Sequence, residues 1–113
     1  LKKGSIVNNC VFLGRIADDL QISEEFNTKV LRFKMSIDKY RKNKNGQKIR
    51  DRNFLFFEAW DTGAQTIYDH CEAGDSLVVN CTARSGNGKV TFRVNEFKIV
   101  NNLQTSTDEE YRE

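Results

Sequence analysis

Two stretches of strict period-two alternation flank an Asn-Gly dipeptide, and they constrain the fold more than any other feature of the chain. Before it, VLRFKMSID at 30–38 sets Leu31, Phe33, Met35 and Ile37 against Arg32, Lys34, Ser36 and Asp38. After it, NFLFFEAW at 53–60 sets Leu55, Phe57 and Ala59 against Phe54, Phe56, Glu58 and Trp60. Successive side chains of a strand point to opposite faces, so both stretches read as half-buried strands. Asn45-Gly46 between them is a hairpin turn signal. An antiparallel pair is thus the frame to which the rest must attach.

The flanking segments extend that frame. VNNCVFLGRI at 7–16 reads as an earlier strand, with Gly14 as a bulge or bend. The polar stretch 17–28 reads as its continuation through Leu20 and Ile22 up to a turn at Asn27. Thr62 and Gln65 have the spacing of a capping box, Ala64, Ile67, Tyr68 and Cys71 follow at helical spacing, and Gly74 stops the helix. Residues 76–84 form a strand, Ser85 to Gly88 a tight turn, and 89–100 the returning strand. There are no internal repeats and no parallel βαβ signature. Five strands with one helix between the third and fourth is the order of the OB-fold, an all-β, five-stranded, partly open Greek-key barrel. Residues 1–100 make up that domain. Residues 101–113 form a polar, acidic tail with three consecutive acids from Asp108 to Glu110, expected to be flexible.

Composition removes several function classes. A chain of 113 residues with 38% hydrophobic and 11% aromatic residues is long enough for one core and too apolar for a disordered segment. No apolar run approaches the roughly 20 residues that span a bilayer, and no signal peptide opens the chain. Leu1 is not a start methionine, so the beginning is expected to be processed or cut. No membrane association and a cytoplasmic location are expected. Cys10, Cys71 and Cys81 show no C-x-x-C spacing and His70 is the only histidine, so buried free thiols, no metal and no cofactor are expected. Hydrolysis would need converging carboxylates or a metal set. Asp18-Asp19 is an adjacent acidic pair in the barrel, and neighbours on a strand diverge, so no catalytic residue is assigned.

Charge and aromatics point elsewhere. The net charge is only +2, yet residues 39–52 (KYRKNKNGQKIRDR) hold seven basic residues and one acid. A cationic segment on a slightly acidic body is the footprint of a polyanion partner. With Leu55, Phe57 and Ala59 inward, Phe54, Phe56 and Trp60 face outward, where large rings are costly unless something covers them. They are either packed under a loop or a second subunit, or they form a stacking platform. Every base has a π-face, so strand aromatics bind unpaired nucleic acid without reading its sequence. Arg32 and Lys34 beside them, and Lys39, Arg41, Lys42, Lys44, Lys48, Arg50 and Arg52 in the basic segment, are candidate phosphate contacts.

At this point the chain resembles the bacterial and phage single-stranded DNA-binding proteins, over residues 7–100. VNNCVFLGRIADD looks like the opening N-x-V-x-L-x-G-R-L-x-x-D of that family, and GDSLVVNCTAR like its G-D-x-V-x-V-E-G-x-L. VLRFKMSID, the basic segment, NFLFFEAW and VNEFKIV are similar to its second strand, long loop, third strand and closing strand. The resemblance implies an OB-fold that binds and protects single-stranded DNA with little sequence preference, in replication, recombination or repair. It maps stacking positions onto Phe54 and Trp60, and a further one onto Tyr40, or Arg41 if the gap falls elsewhere. Arg15 of the opening Gly-Arg joins the candidate contacts. Phe56 stands where family members often carry a basic residue. Leu20 replaces the proline of the family's first turn, and the hairpin at 85–88 is too short for the family's further stacking tryptophan. The resemblance also implies a homo-oligomer, a dimer or tetramer, located in a bacterial nucleoid or in host cytoplasm if of phage origin. Replication and repair proteins are implied partners of the acidic tail, although DEEYRE lacks the family's Pro- and Phe-containing tip. A replication-restart accessory and an RNA-binding OB module are the alternatives.

Overall fold

A computed structural model describes residues 6–100. The tail at 101–113, for which flexibility was expected, lies outside the described residues. The elements run β1 (Cys10–Ile16), β2 (Ile22–Glu25), β3 (Thr28–Lys42), β4 (Lys48–Trp60), α1 (Asp61–His70), β5 (Ser76–Gly86) and β6 (Lys89–Val100). Five of the six strands close a ring, β1–β5–β6–β4–β3 and back to β1. All pairings are antiparallel except β4 with β6, at Phe57–Phe92 and Glu58–Arg93. This is the expected five-stranded OB barrel with its helix after the third barrel strand. The sixth strand, β2, is an addition, because residues 22–25 fold back on β3 through a two-residue turn at Phe26-Asn27 instead of prolonging β1.

Closure depends on Gly14. Residues 10–15 of β1 pair with β5, and Arg15 and Ile16 then pair with Ser36 and Met35 of β3. A Cβ at Gly14 would stand 2.6 Å from Ile37 Cδ1 and 3.1 Å from Met35 Cβ. Gly14 therefore permits a close crossing of two strands. It is not a bulge, since the register shift of this sheet lies at Asn80/Cys81. The first strand also starts three residues later than its sequence suggests. Asn8 exchanges two 2.8 Å hydrogen bonds with the Ala83 backbone through its side-chain amide, continuing the pairing to β5 without a strand backbone.

The inward faces fill the barrel as the alternation requires. Ile16, Leu31, Met35, Phe57, Leu77 and Val79 are almost wholly buried. Phe57 stacks on Phe33 at 5.6 Å between centroids and meets Phe12 edge-on at 5.7 Å. Burying one such side chain is worth about 1.5–3 kcal/mol. Among the described residues no polar or charged side chain is buried in this core.

The helix plugs one end of the barrel with Ala64 and Ile67. Its start differs from the expected capping box. Asp61, in the left-handed region at φ 60°, turns the chain straight from β4 into the helix, with extended Trp60 at the cap and no capping side chain. Thr62 is thereby drawn inside the first turn, and Gln65 donates to Asp69 Oδ1 at 2.8 Å instead. The helix ends at Cys71, not at Gly74. Gly74, at φ 98°, lies in the next turn and donates to the Ile16 carbonyl at 2.9 Å, tying that turn to β1.

Candidate nucleic-acid interface

β3 and β4 pair in unbroken register from Val30–Trp60 to Lys42–Lys48. The basic segment, expected as a hairpin turning at Asn45-Gly46, is a twisted two-stranded arm that continues the barrel strands, open only at residues 43–47. Charge alternation across the arm explains this. Asp38 holds Arg50 at 2.7 Å and Arg52 at 3.3 Å, and Arg41 holds Asp51 at 2.8 Å. Such cross-strand pairs favour strand over loop. At the tip the Asn43 side-chain oxygen accepts from the Asn45 and Gln47 amides, both at 2.9 Å, and Gly46 turns the chain at φ 77°.

Register sorts the candidate residues by face. Phe54, Phe56, Glu58 and Trp60 share the outer face of β4 with Arg32 and Lys34 of β3. Farther along the arm that same face carries Tyr40, Lys42, Lys48, Arg50 and Arg52, whereas Lys39 and Arg41 stand on the opposite face. Lys44 sits at the tip. Arg15 pairs in register with Ser36, which stands opposite Phe54, and so extends the outer face to β1. The structure thus brings eleven of the fourteen candidates onto one continuous surface.

The aromatics differ in how they are presented. Phe54 is 47% and Phe56 58% exposed, and the Lys34 ammonium lies 5.2 Å from the Phe54 centroid. Trp60 is half-buried, with the Arg93 guanidinium 4.8 Å from its ring, and its indole Nε1 is buried without a hydrogen-bond partner. The Lys48 ammonium lies 4.6 Å from the Tyr40 centroid, a cation–π pair that holds the ring out along the arm. Phe56 forms part of the floor of a cleft of about 670 Å³, walled by Asp18, Asp19 and Gln21 on one side and by 89–91 on the other.

The candidate cations fall into two classes. Arg32 makes a bidentate pair with Glu25 and reaches Glu58 at 3.3 Å, and Lys34 reaches Asp18 at 3.3 Å. The hydrogen bond from Arg32 holds the Glu25 carboxyl below its ordinary pKa, and the same bond raises that of Arg32. Lys39, Lys42, Lys44 and Lys48 form no ion pair among the described residues. Sequence reasoning missed Glu58 and Arg93 as a linked pair, 3.6 Å apart. Only the parallel contact of β4 with β6 joins them, and no local pattern announces it.

Among the described residues no group of three or more His, Cys, Asp or Glu side chains is placed to hold a metal ion. No helix among them is long and apolar enough to cross a membrane.

No family model matches the sequence, and no curated protein matches it at significant similarity. Solved structures do. A deletion mutant of the single-stranded DNA binding protein from Thermus aquaticus superposes with a TM-score of 0.73 at 12% identity, over 86% of this chain and 52% of that one. This chain thus spans about half the length of the Thermus protein. The Plasmodium falciparum SSB in complex with ssDNA gives 0.72 at 11% identity, covering 87% and 98% of the two chains. The priB protein from Ralstonia solanacearum gives 0.67 at 7% identity, covering 84% and 100%. At such identities the likeness is one of fold, and the fold of this chain is the OB-fold in the form it takes in the SSB and PriB structures.

Proposed function

We propose that this protein binds single-stranded DNA without sequence preference and protects it during replication, recombination or repair, acting by binding and not by catalysis. The observation that carries the reading is the outer face of β4, where Phe54 and Phe56 are exposed side by side and cations flank them on β3 and along the arm. Bases stack on the two rings and on Trp60, and the strand runs on toward Tyr40. Lys42, Lys44 and Lys48, which form no ion pair among the described residues, take the phosphates, helped by Lys39 from the other face of the arm. Arg15, Arg32, Lys34, Arg41, Arg50 and Arg52 contribute field and secondary contacts, most of them from within existing ion pairs.

The protein works as a homo-oligomer in this reading, a dimer or tetramer. Support comes from β1, whose outward Val11 and Leu13 are 63% and 60% exposed and whose residues 10–14 pair with β5 on one edge only. The site of action is the cytoplasm, in the nucleoid or in host cytoplasm, and the acidic tail serves replication and repair partners.

A labelled oligo(dT) titration at several salt concentrations tests the proposal. Binding should be tight, and log K should fall against log salt with a slope near −3 if about four cations reach phosphates, at roughly −0.7 per contact. Stronger competition by poly(U) than by matched poly(dT) would favour an RNA-binding module. Turnover of the labelled strand with Mg²⁺ would overturn the exclusion of catalysis.

A further inference from the structure

Two hairpins of this molecule turn through only two residues. Asn87-Gly88 joins β5 to β6 with φ of 52° and 76°, and Phe26-Asn27 joins β2 to β3 with φ of 53° and 62°. Both positions of such a turn lie in the left-handed region, which Asn and Gly enter readily and a bulky aromatic residue does not. The β5–β6 turn uses the favoured pair. The β2–β3 turn puts a phenylalanine in the first position, and its ring is 92% exposed. A strained backbone and a wetted ring are two unfavourable terms that nothing among the described residues offsets.

What faces the ring suggests what does. Phe26 and the β5–β6 hairpin form the rims of a groove of about 340 Å³, with Glu58 and Trp60 between them and Arg84 and Asn87 on the far rim. The carboxylates of the groove are already neutralised, Glu25 by Arg32 and Glu58 by Arg32 and Arg93. Arg84 is exposed and forms no ion pair among the described residues. The groove therefore offers aromatic surface on one side and an unpaired guanidinium on the other, and it begins at Trp60, the end of the β4 platform. An apolar peptide would leave Arg84 unused, and an inorganic anion would leave Phe26 unused. A nucleotide uses both.

We propose that Phe26 is a base-stacking residue, and that the groove takes one further nucleotide of the strand lying on Phe54 and Phe56, its base against Phe26 and its phosphate on Arg84. This rests on the reading of the protein as a single-stranded DNA binder. The strained turn serves to hold the ring out beyond the barrel as the second wall of the groove.

The test uses Phe26→Asn, because asparagine is favoured where phenylalanine is strained. Its thermal midpoint should rise by several degrees while its affinity for a long labelled oligo(dT) falls about fivefold or more, the lower end of what one lost stack costs. A second variant, Phe26→Trp combined with Trp60→Phe, puts the sole tryptophan at the turn, and its fluorescence should quench on saturation with oligo(dT). If the wild type binds oligo(dT) but Phe26→Asn binds within twofold of it, or the turn tryptophan is not quenched, the subsite is refuted and the platform stands. A changed assembly state at unchanged affinity would assign the ring to a second copy of the chain and refute base stacking. If the wild type does not bind oligo(dT) at all, the underlying reading falls and the subsite with it.

Discussion

Phe56 and Phe57 are neighbours in the chain and opposites in consequence. Phe57 is 1% exposed at the centre of an aromatic cluster, and Phe56 is 58% exposed on the outer face. Phe57→Ala should cost about 3–5 kcal/mol of stability, measured by denaturant unfolding. Phe56→Ala should leave stability within about 0.5 kcal/mol and remove about 1–3 kcal/mol of single-stranded DNA binding. Trp60 lies between these extremes, half-buried under Arg93, so Trp60→Ala should lower both quantities while Trp60→Phe keeps most of the binding. Cys81 makes a separate prediction. Burial, and then the facing Cys10, push its thiol up to about 11 from an ordinary value of 9.0. The neutral thiol is favoured in the fold, so this contribution is full below pH 9 and fades as the pH climbs toward 11, where the unfolded chain ionises first. Thermal midpoints should therefore fall across that window, and Cys81 should resist thiol reagents at pH 8 until the protein unfolds.

At the scale of elements, the arm is where charge does most. Asp38 holds both Arg50 and Arg52 on the face that carries the aromatics. Asp38→Asn should release them, tighten oligo(dT) binding and steepen its salt dependence. Replacing Lys42, Lys44 and Lys48 together should weaken every sequence alike and flatten the slope by about 2. An unchanged slope would mean that the arm is only a solvated hairpin. Gly14→Ala should destabilise the barrel by about 1–3 kcal/mol, because its Cβ would be driven into Ile37 and Met35 where β1 crosses β3. What was legible in the sequence follows from these same elements. Period-two alternation put Phe57 and Ala59 inside and Phe54 and Phe56 outside, and Asn87-Gly88 fell in its turn, because each depends on residues close in sequence. Asn45-Gly46 announced the hairpin, but how far its strands pair stayed hidden, because residues 39–52 are polar on both faces apart from Tyr40 and Ile49 and leave no apolar period to read. The β2–β3 turn hid behind Phe26, which is not a turn residue. The Thr62–Gln65 spacing misled, since the turn at Asp61 is dictated by how β4 must leave the barrel. Glu58 and Arg93 meet only because the barrel closes.

For the whole molecule, the ring of five strands presents two outward surfaces, to which the proposed function gives different tasks. One carries Val11 and Leu13 on β1, and Leu13→Glu should reduce the assembly state in sedimentation without unfolding the chain. The other carries the rings of β4, and its role is the centre of the account. The measurement that tests it most directly is an anisotropy titration of labelled oligo(dT) into the wild type and into Phe54→Ala/Phe56→Ala, with thermal unfolding of both recorded in the same buffer. The account predicts tight binding by the wild type, a loss of about 30-fold or more in the double variant, and closely similar unfolding midpoints. A double variant that binds like the wild type, or a wild type that does not bind at all, would contradict it.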